Sequence, residues 1–211
     1  MPALPTSIFW RRTDTDGCDH VLLDDRDGLR ARGTAVAATP LPYTCRYELV
    51  TDERWATVRL EVTAEGAGWE RTVRLEHAAG RWRVTTAERG NLSRTLRAAG
   101  RPPVGMPGLE EPERLADAVD VDLGAAPLFN SLPVRRLGLL DAPAGTEHRI
   151  TVAWVRVPSL EVQPAEQVYT ALGGTRVRFR SRTFTAELEL DERGYVIRYP
   201  GLADRPGDRT P

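Results

Sequence analysis

The chain has 211 residues, enough for one domain with a sizeable core, and its hydrophobic and charged fractions of 41% and 28% are ordinary for a globular protein. A net charge of −1 gives no electrostatic reason to expect nucleic acid or an anionic membrane surface as a partner. Every basic residue apart from the three histidines is arginine, which excludes Schiff-base chemistry and a lysine general base.

The N-terminal residues MPALPTSIFWRRT lack the charged and continuous apolar regions of a secretory signal. No run approaches the ~18 apolar residues of a membrane span. Cys18 and Cys45 are too few for a disulfide framework or a zinc site, so reduced thiols are favoured over a bridge. We expect a soluble, cytoplasmic protein without integral membrane association.

Alternation of apolar and polar residues predicts strands in the first part of the chain. Short strands are predicted over 8–12 and 20–24, a weaker one over 30–39, and a clear one over 43–50. The strand over 55–62 is expected to bury Ala56, Val58, Leu60 and Val62. Further strands carry Trp69, Val73, Leu75, Trp82 and Val84. Turns about every ten residues indicate an antiparallel meander with one buried face.

The alternation stops near Thr86, and residues 88–113 are rich in glycine and proline. This composition predicts a long loop, with one helical turn around 91–99. A loop of this length in a compact domain is either disordered or functional.

Residues 120–140 contain the one long segment with helical spacing of apolar residues. A helix over about 126–140 would begin with Pro127 in its first turn and be apolar nearly all round, so we expect it to be buried. Strands resume over 147–157, 160–163, 167–171, 176–180, 184–190 and 194–199. Residues 1–202 form the predicted domain, and 203–211 a polar tail.

A sheet of about a dozen strands is too large to stay flat and must coil or close on itself. The predicted fold class is therefore mainly β (α+β), a single domain with a long antiparallel sheet wrapped around one central helix. Such a coil leaves a concave, partly apolar interior, which holds ligands in many unrelated β folds.

Asp120 and Asp122 share one side of a short extended segment before the helix. They could act as paired carboxylates in acid–base work or sugar recognition. Ion pairing with Arg135 or Arg136 is the favoured alternative, because a buried charge needs a partner.

Asn130 lies within the predicted helix, where it could satisfy a backbone group left unpaired by Pro133 or contact a ligand. Several aromatic side chains could stack on sugar rings or line an acyl slot, among them Trp154, Tyr169 and Tyr199. Trp55 is off the buried phase of its strand and is the aromatic residue most worth testing.

The three histidines show no ligand spacing, and neither a nucleophile elbow nor P-loop or Rossmann glycine spacing occurs. The sequence therefore predicts no catalytic residue, no metal site and no cofactor.

Four segments in this order resemble the bacterial "putative glycolipid-binding" family. They are CRYELVTDERW (45–55), DVDLGAAPLFNSLPVRRL (120–137), VAWVRVPSLEVQPAEQVYTAL (152–172) and RGYVIRYPGL (193–202). The resemblance implies a spiral β-roll, a long antiparallel sheet wound around one helix, similar in shape to bacterial lipoprotein and lipid carriers. The resemblance also implies that residues 88–113 are an insertion.

The resemblance attaches no catalytic role to the residues that match the family motifs. These are Asp120, Asp122, Asn130, Pro133, Arg135, Arg136, Trp154, Pro158, Gln163, Gln167, Tyr169, Tyr199 and Pro200.

The leading functional hypothesis is non-enzymatic binding of an amphipathic small molecule, such as a glycolipid, inside the roll. The apolar sheet would take the acyl part, with Asp120, Asp122, Asn130 and Arg135 or Arg136 near the polar head. One alternative is an enzyme that uses Asp120 and Asp122 on a small glycosyl or acyl substrate. The other is a protein-interaction module with a filled interior.

Overall fold

The computed structural model describes residues 6–182 and 184–207. Its strands are β1 (Thr6–Arg12), β2 (Gly17–Asp24), β3 (Arg30–Ala37), β4 (Tyr43–Thr51), β5 (Thr57–Gly66), β6 (Trp69–Ala78), β7 (Arg81–Gly90), β8 (Ala118–Leu123), β9 (Glu147–Val155), β10 (Val162–Gly173), β11 (Arg176–Arg180), β12 (Thr185–Leu190), β13 (Val196–Tyr199) and β14 (Ala203–Asp204). The helices are α1 (Leu92–Ala98) and α2 (Ser131–Arg136), with 3-10 turns at Pro112–Leu115 and Pro127–Asn130.

All fourteen strands belong to one sheet, in the order β7-β6-β5-β4-β3-β2-β1-β14-β13-β12-β11-β10-β9-β8. Neighbouring strands are antiparallel except β8 and β9, which are parallel. The sheet therefore contains two antiparallel meanders, a first one of β1–β7 and a second one of β9–β14, which join through β1 and β14. Strands β7 and β8, from the middle of the chain, form the two edges of the sheet. The predicted fold class, a mainly β domain with one long sheet and few helices, is confirmed.

The sheet coils so that its two edges approach each other. The Nε1–H of Trp82, on edge strand β7, donates to the carbonyl of Ala118, on edge strand β8, at 2.9 Å. The backbone N–H of Val121 donates to the hydroxyl of Thr57 on β5 at 3.2 Å. Coiling is the expected response of a twisted sheet this wide.

A bulge on β5 changes the face that this strand buries. Val50 pairs with Arg59, but the next residue on β4, Thr51, pairs with Thr57, so Val58 is the extra residue. Val58 is consequently 42% exposed, whereas the Thr57 side chain is buried. The prediction that Val58 faces the core is wrong, because a bulge reverses the alternation on one side of itself.

The central helix is shorter than the predicted 126–140. A 3-10 turn runs directly into α2, which ends after Arg136 because Gly138 adopts a left-handed conformation with φ of 63°. The N–H groups of Gly138 and Leu139 donate to the carbonyls of Arg135 and Val134, the pattern of a Schellman motif. The first part of this helical segment packs into the larger apolar core, and Val134 and Leu139 pack into a second, smaller one.

Residues 88–113 are attached to the rest of the fold. β7 continues through Gly90, and Asn91 caps α1 by accepting a hydrogen bond from the N–H of Arg94 at 2.7 Å. The predicted helical turn is thus present. The buried Arg71 side chain donates to the carbonyls of Gly105, at 2.6 Å, and Ser159, at 2.8 Å, and so ties this segment to the connection between β9 and β10.

At the C-terminus, the short strands predicted over 160–163 and 167–171 are one strand, β10. Ala203 and Asp204, predicted to begin a polar tail, instead form β14 between β1 and β13. Residues 208–211 of the predicted tail lie outside the described residues.

Candidate ligand-binding site

β8 places Asp120 against the last turn of α2. The Nε–H of Arg136 donates to Asp120 Oδ1 at 2.9 Å, and its Nη2 donates to Oδ2 at 2.6 Å. The Asp120 side chain is fully buried, and burial raises its pKa although the Arg136 charge opposes that shift. The favoured alternative, an ion pair, is therefore correct for Asp120 with Arg136 as partner.

Asp122 has a different environment. Its Oδ2 accepts a hydrogen bond from Gln167 Nε2 at 2.6 Å, and the described residues offer neither an ion-pair partner nor a donor for its Oδ1. The side chain is half-buried, and desolvation raises the pKa of Asp122 to about 6, although the Gln167 bond acts in the opposite direction. The expected pairing with arginine is wrong for Asp122.

A chain of hydrogen bonds continues from Gln167 towards α2. Tyr169 donates its hydroxyl to Gln167 Oε1 at 3.1 Å and accepts from Asn130 Nδ2 at 2.9 Å. Asn130 thus bonds a side chain and not a backbone group near Pro133. Pro133 lies in the first turn of α2, where a backbone N–H has no helical partner to lose.

The hydroxyl of Ser131, next to Asn130, is buried and has no hydrogen-bond partner among the described residues.

Aromatic rings cover one side of this polar chain. Ring centres are 5.3 Å apart between Tyr169 and Phe179, 6.1 Å between Phe179 and Tyr199, and 6.0 Å between Tyr199 and Phe184. Burial, and after it the charge of Asp122, raises the pKa of Tyr169 and of Tyr199. Phe184 remains 40% exposed, which makes the aromatic group accessible from outside.

Trp154 flanks Asp122. The two residues are register partners on β8 and β9, and Gln163 on β10 is the next register partner of Trp154. Register partners project on the same face of a sheet. Trp154 is half-buried, and the guanidinium of Arg156 lies 5.8 Å from the centre of its ring.

Arg135 and Trp55 belong to another cluster. Trp55 occupies the turn before β5 with φ of 67°, and its ring is buried against Tyr195, contrary to the expectation that it faces away from the core. The Arg135 guanidinium stacks 4.5 Å from the centre of the Trp55 ring and donates to the carbonyl of Arg193.

Sequence reasoning missed Asp19, a carboxyl in the core of the first meander. Its side chain is fully buried on β2, and the Tyr47 hydroxyl lies 3.2 Å from both carboxylate oxygens. The Tyr47 ring reaches it by crossing Gly33, where an added Cβ would lie only 2.0 Å from a ring carbon. The signal was available, because Asp19 is in phase with Val21 and Leu23 on the buried face.

Large side chains pack in the interior of the β1–β7 half. Trp10, Tyr47 and Phe129 are fully buried, and the Tyr47 and Phe129 rings pack edge to face with centres 5.4 Å apart.

The architecture defines a class of protein, a coiled antiparallel sheet wound on a short helix. The chain matches the family described as "Putative glycolipid-binding" over residues 7–205, and it belongs to that family. It is similar to a crystal structure of a DUF1089 family protein from Pseudomonas aeruginosa, with 24% identity, a TM-score of 0.69, and coverage of 92% of this chain and 94% of that one. That similarity shows a shared fold.

No curated protein matches the chain. Within 6–182 and 184–207, no helix has the length and apolar character needed to cross a membrane.

Proposed function

We propose that the protein binds an amphipathic glycolipid without catalysis, on the helix-facing side of β8–β13. The sugar headgroup lies against Asp122 and Gln167, and the acyl part lies against Phe179, Phe184 and Tyr199. The observation that carries the proposal is the half-buried residue Asp122, which has one carboxylate oxygen bound to Gln167 and is linked through Gln167 and Tyr169 to an aromatic group that reaches the surface.

The chemistry of the two surfaces fits the two parts of such a ligand. A carboxylate oxygen without a protein donor can accept hydrogen bonds from sugar hydroxyls, and the Gln167 amide holds the carboxylate in place. The aromatic faces beside it can pack on an acyl chain or on the apolar face of a sugar ring. The family description supports the same class of ligand.

The enzymatic alternative needs two free carboxylates. Asp120 is held in a two-bond ion pair with Arg136 and has no exposed surface, so it is poorly placed to exchange protons with a substrate. Asp122 alone, with its pKa of about 6, could serve as an acid or base, and the experiment below tests this role as well.

The proposal is tested with n-octyl β-D-glucoside below its micelle concentration, using calorimetric titration. We expect octyl glucoside to bind more tightly than glucose or 1-octanol alone, because only the glycoside occupies both surfaces. Asp122→Asn should weaken binding about fivefold or more through the lost charged acceptor. Phe184→Ala should weaken binding of octyl glucoside and octanol alike.

Phe9→Ala is the matched control, because Phe9 is a 44% exposed phenylalanine on β1, in another part of the sheet. Native mass spectrometry after incubation with a bacterial lipid extract extends the test to natural ligands. Failure to retain any lipid, together with equal affinities for octyl glucoside in all variants, would contradict the proposal. Release of glucose that stops in Asp122→Asn would replace it with the enzymatic alternative.

A further inference from the structure

We propose that an arginine-lined cleft on β3–β7, in the half of the sheet that does not carry Asp122, binds the phosphate group of a small organic phosphate. The cleft has a volume of about 570 Å³, within the range of small-molecule sites. Its walls carry four arginines, Arg30, Arg59, Arg81 and Arg83. The overall net charge of −1 conceals this local concentration of positive charge.

The strand register explains why these arginines meet. Arg30 pairs with Val50, Val50 with Arg59, Arg59 with Glu76, and Glu76 with Arg83, so the five residues form one row across five strands. Adjacent strands are about 4.8 Å apart, which places successive arginines of the row about 10 Å apart at their Cα atoms. Arginine side chains are long enough to bring two guanidinium groups from such positions to one anion.

The positive charge of the cleft is not neutralised from within. Its one carboxylate, Glu76, is bonded to Arg74 at 2.6 Å. Asp24, the register partner of Arg30, is held in a two-bond pair with Arg26. In the part of the chain that the structure describes, no carboxylate lies within ion-pair distance of the four arginines.

Arg59 stands at the middle of this row and is partly exposed, so part of its side chain is accessible from the cleft. Guanidinium groups prefer carboxylate and phosphate oxygens, which match their planar pair of N–H groups.

Neighbouring apolar surface indicates that the ligand is an organic phosphate. Val58, displaced by the bulge, is 42% exposed at the cleft. The His77 ring, which also lines the cleft, stacks on Trp82 with ring centres 4.6 Å apart. These groups would contact the organic part while the arginines bind the phosphate.

The test uses phenyl phosphate, with phenol as the uncharged comparison, in calorimetric titrations at about 150 mM salt, where long-range attraction is screened. We expect phenyl phosphate to bind and phenol not to bind. Arg59→Gln and Arg83→Gln should each weaken phenyl phosphate binding about tenfold. Arg94→Gln, on the exposed face of α1, should change the affinity less than twofold. Equal affinity in Arg59→Gln, Arg83→Gln and Arg94→Gln overturns the proposal.

Circular dichroism checks that each variant folds, and Arg83→Gln carries the test should Arg59→Gln fail, because Arg83 is exposed. A second arm measures sedimentation with vesicles of phosphatidylcholine alone or mixed with phosphatidylglycerol. Binding to phosphatidylglycerol vesicles alone, lost in Arg83→Gln, assigns the phosphate to a lipid headgroup and overturns the assignment to a small soluble compound. Absence of binding in both arms overturns the anion site itself.

Discussion

At the scale of single residues, Asp19 holds a carboxyl where its charge is strongly disfavoured. Burial raises the pKa of Asp19 from 3.8 to about 7, although the Tyr47 hydrogen bond and the Arg12 charge act in the opposite direction. Between about pH 4 and 7 the folded state therefore keeps a proton that the unfolded chain has lost. The contribution of Asp19 to the stability of the fold therefore falls as the pH rises through this window and levels off above it. Asp122, whose pKa is raised to about 6, also lowers the stability of the folded state as the pH rises.

We predict that Asp19→Asn removes a large part of this pH dependence. The amide keeps an acceptor for the Tyr47 hydroxyl but carries no charge to desolvate. Urea unfolding should show similar stability for the wild type and the variant near pH 4, and a variant more stable by about 2–4 kcal/mol near pH 8. Asp16→Asn, in the exposed turn before β2, should leave the wild-type pH dependence intact. If the free energy of unfolding varies with pH in the same way in the wild type and in Asp19→Asn, Asp19 is not the source of the pH dependence.

The candidate site shows what sequence reasoning can find at this scale. The Asp120–Arg136 pair was predictable, because a buried charge next to a helix with a nearby arginine has few other solutions. The Asp122–Gln167 bond was not, since it joins residues 45 positions apart and depends on how three strands slant across one another. Phe184, which opens the aromatic group to the surface, carries no sequence signal that separates it from a core residue.

At the scale of elements, the alternation of apolar and polar residues predicted most of the strands, but it did not predict where a strand carries a bulge. The bulge at Val58 depends on the register between β4 and β5, which the β5 sequence alone does not contain. The end of α2 was readable in principle, because Gly138 follows its last turn and glycine is the usual residue there. Apolar residues beyond Gly138 extended the predicted helix too far, since Leu139 packs on Val134 from outside the helix.

The attachment of α2 to β8 gives the prediction for this scale. Arg136→Gln should lower the free energy of unfolding by about 3–5 kcal/mol, because it leaves the Asp120 charge buried without a partner. Asp120→Leu combined with Arg136→Leu should recover most of that loss. The control is Arg149→Gln, which breaks the exposed pair with Glu166 and should cost less than about 1 kcal/mol. Urea unfolding measures all three, and equal effects of Arg136→Gln and Arg149→Gln would show that the pair does not hold α2 to the sheet.

For the whole molecule, the two meanders meet at a very short junction. β14 has two residues, yet it pairs with both β1 and β13, and Ala203 is the register partner of Arg12 on one side and Tyr199 on the other. This strand could not be predicted from the sequence, because two residues are too few to show an alternation of apolar and polar residues. Side chains reinforce the junction, including the Trp10 Nε1–H, which donates to the carbonyl of Val196 at 2.8 Å.

We therefore predict that Ala203→Pro loosens both meanders together. Proline removes a backbone N–H and does not fit between two neighbouring strands, so the loss should be about 3 kcal/mol or more. Hydrogen exchange should accelerate in β1 and β13 alike, since each loses its neighbour at the centre of the sheet. Ala144→Pro is the control: residue 144 follows the first residue of a tight turn closed by the Thr146 N–H and the Pro143 carbonyl, a position that favours proline. Faster exchange confined to β13 would mean that the first meander is stable without the junction, and that the spiral sheet unfolds as two separate parts.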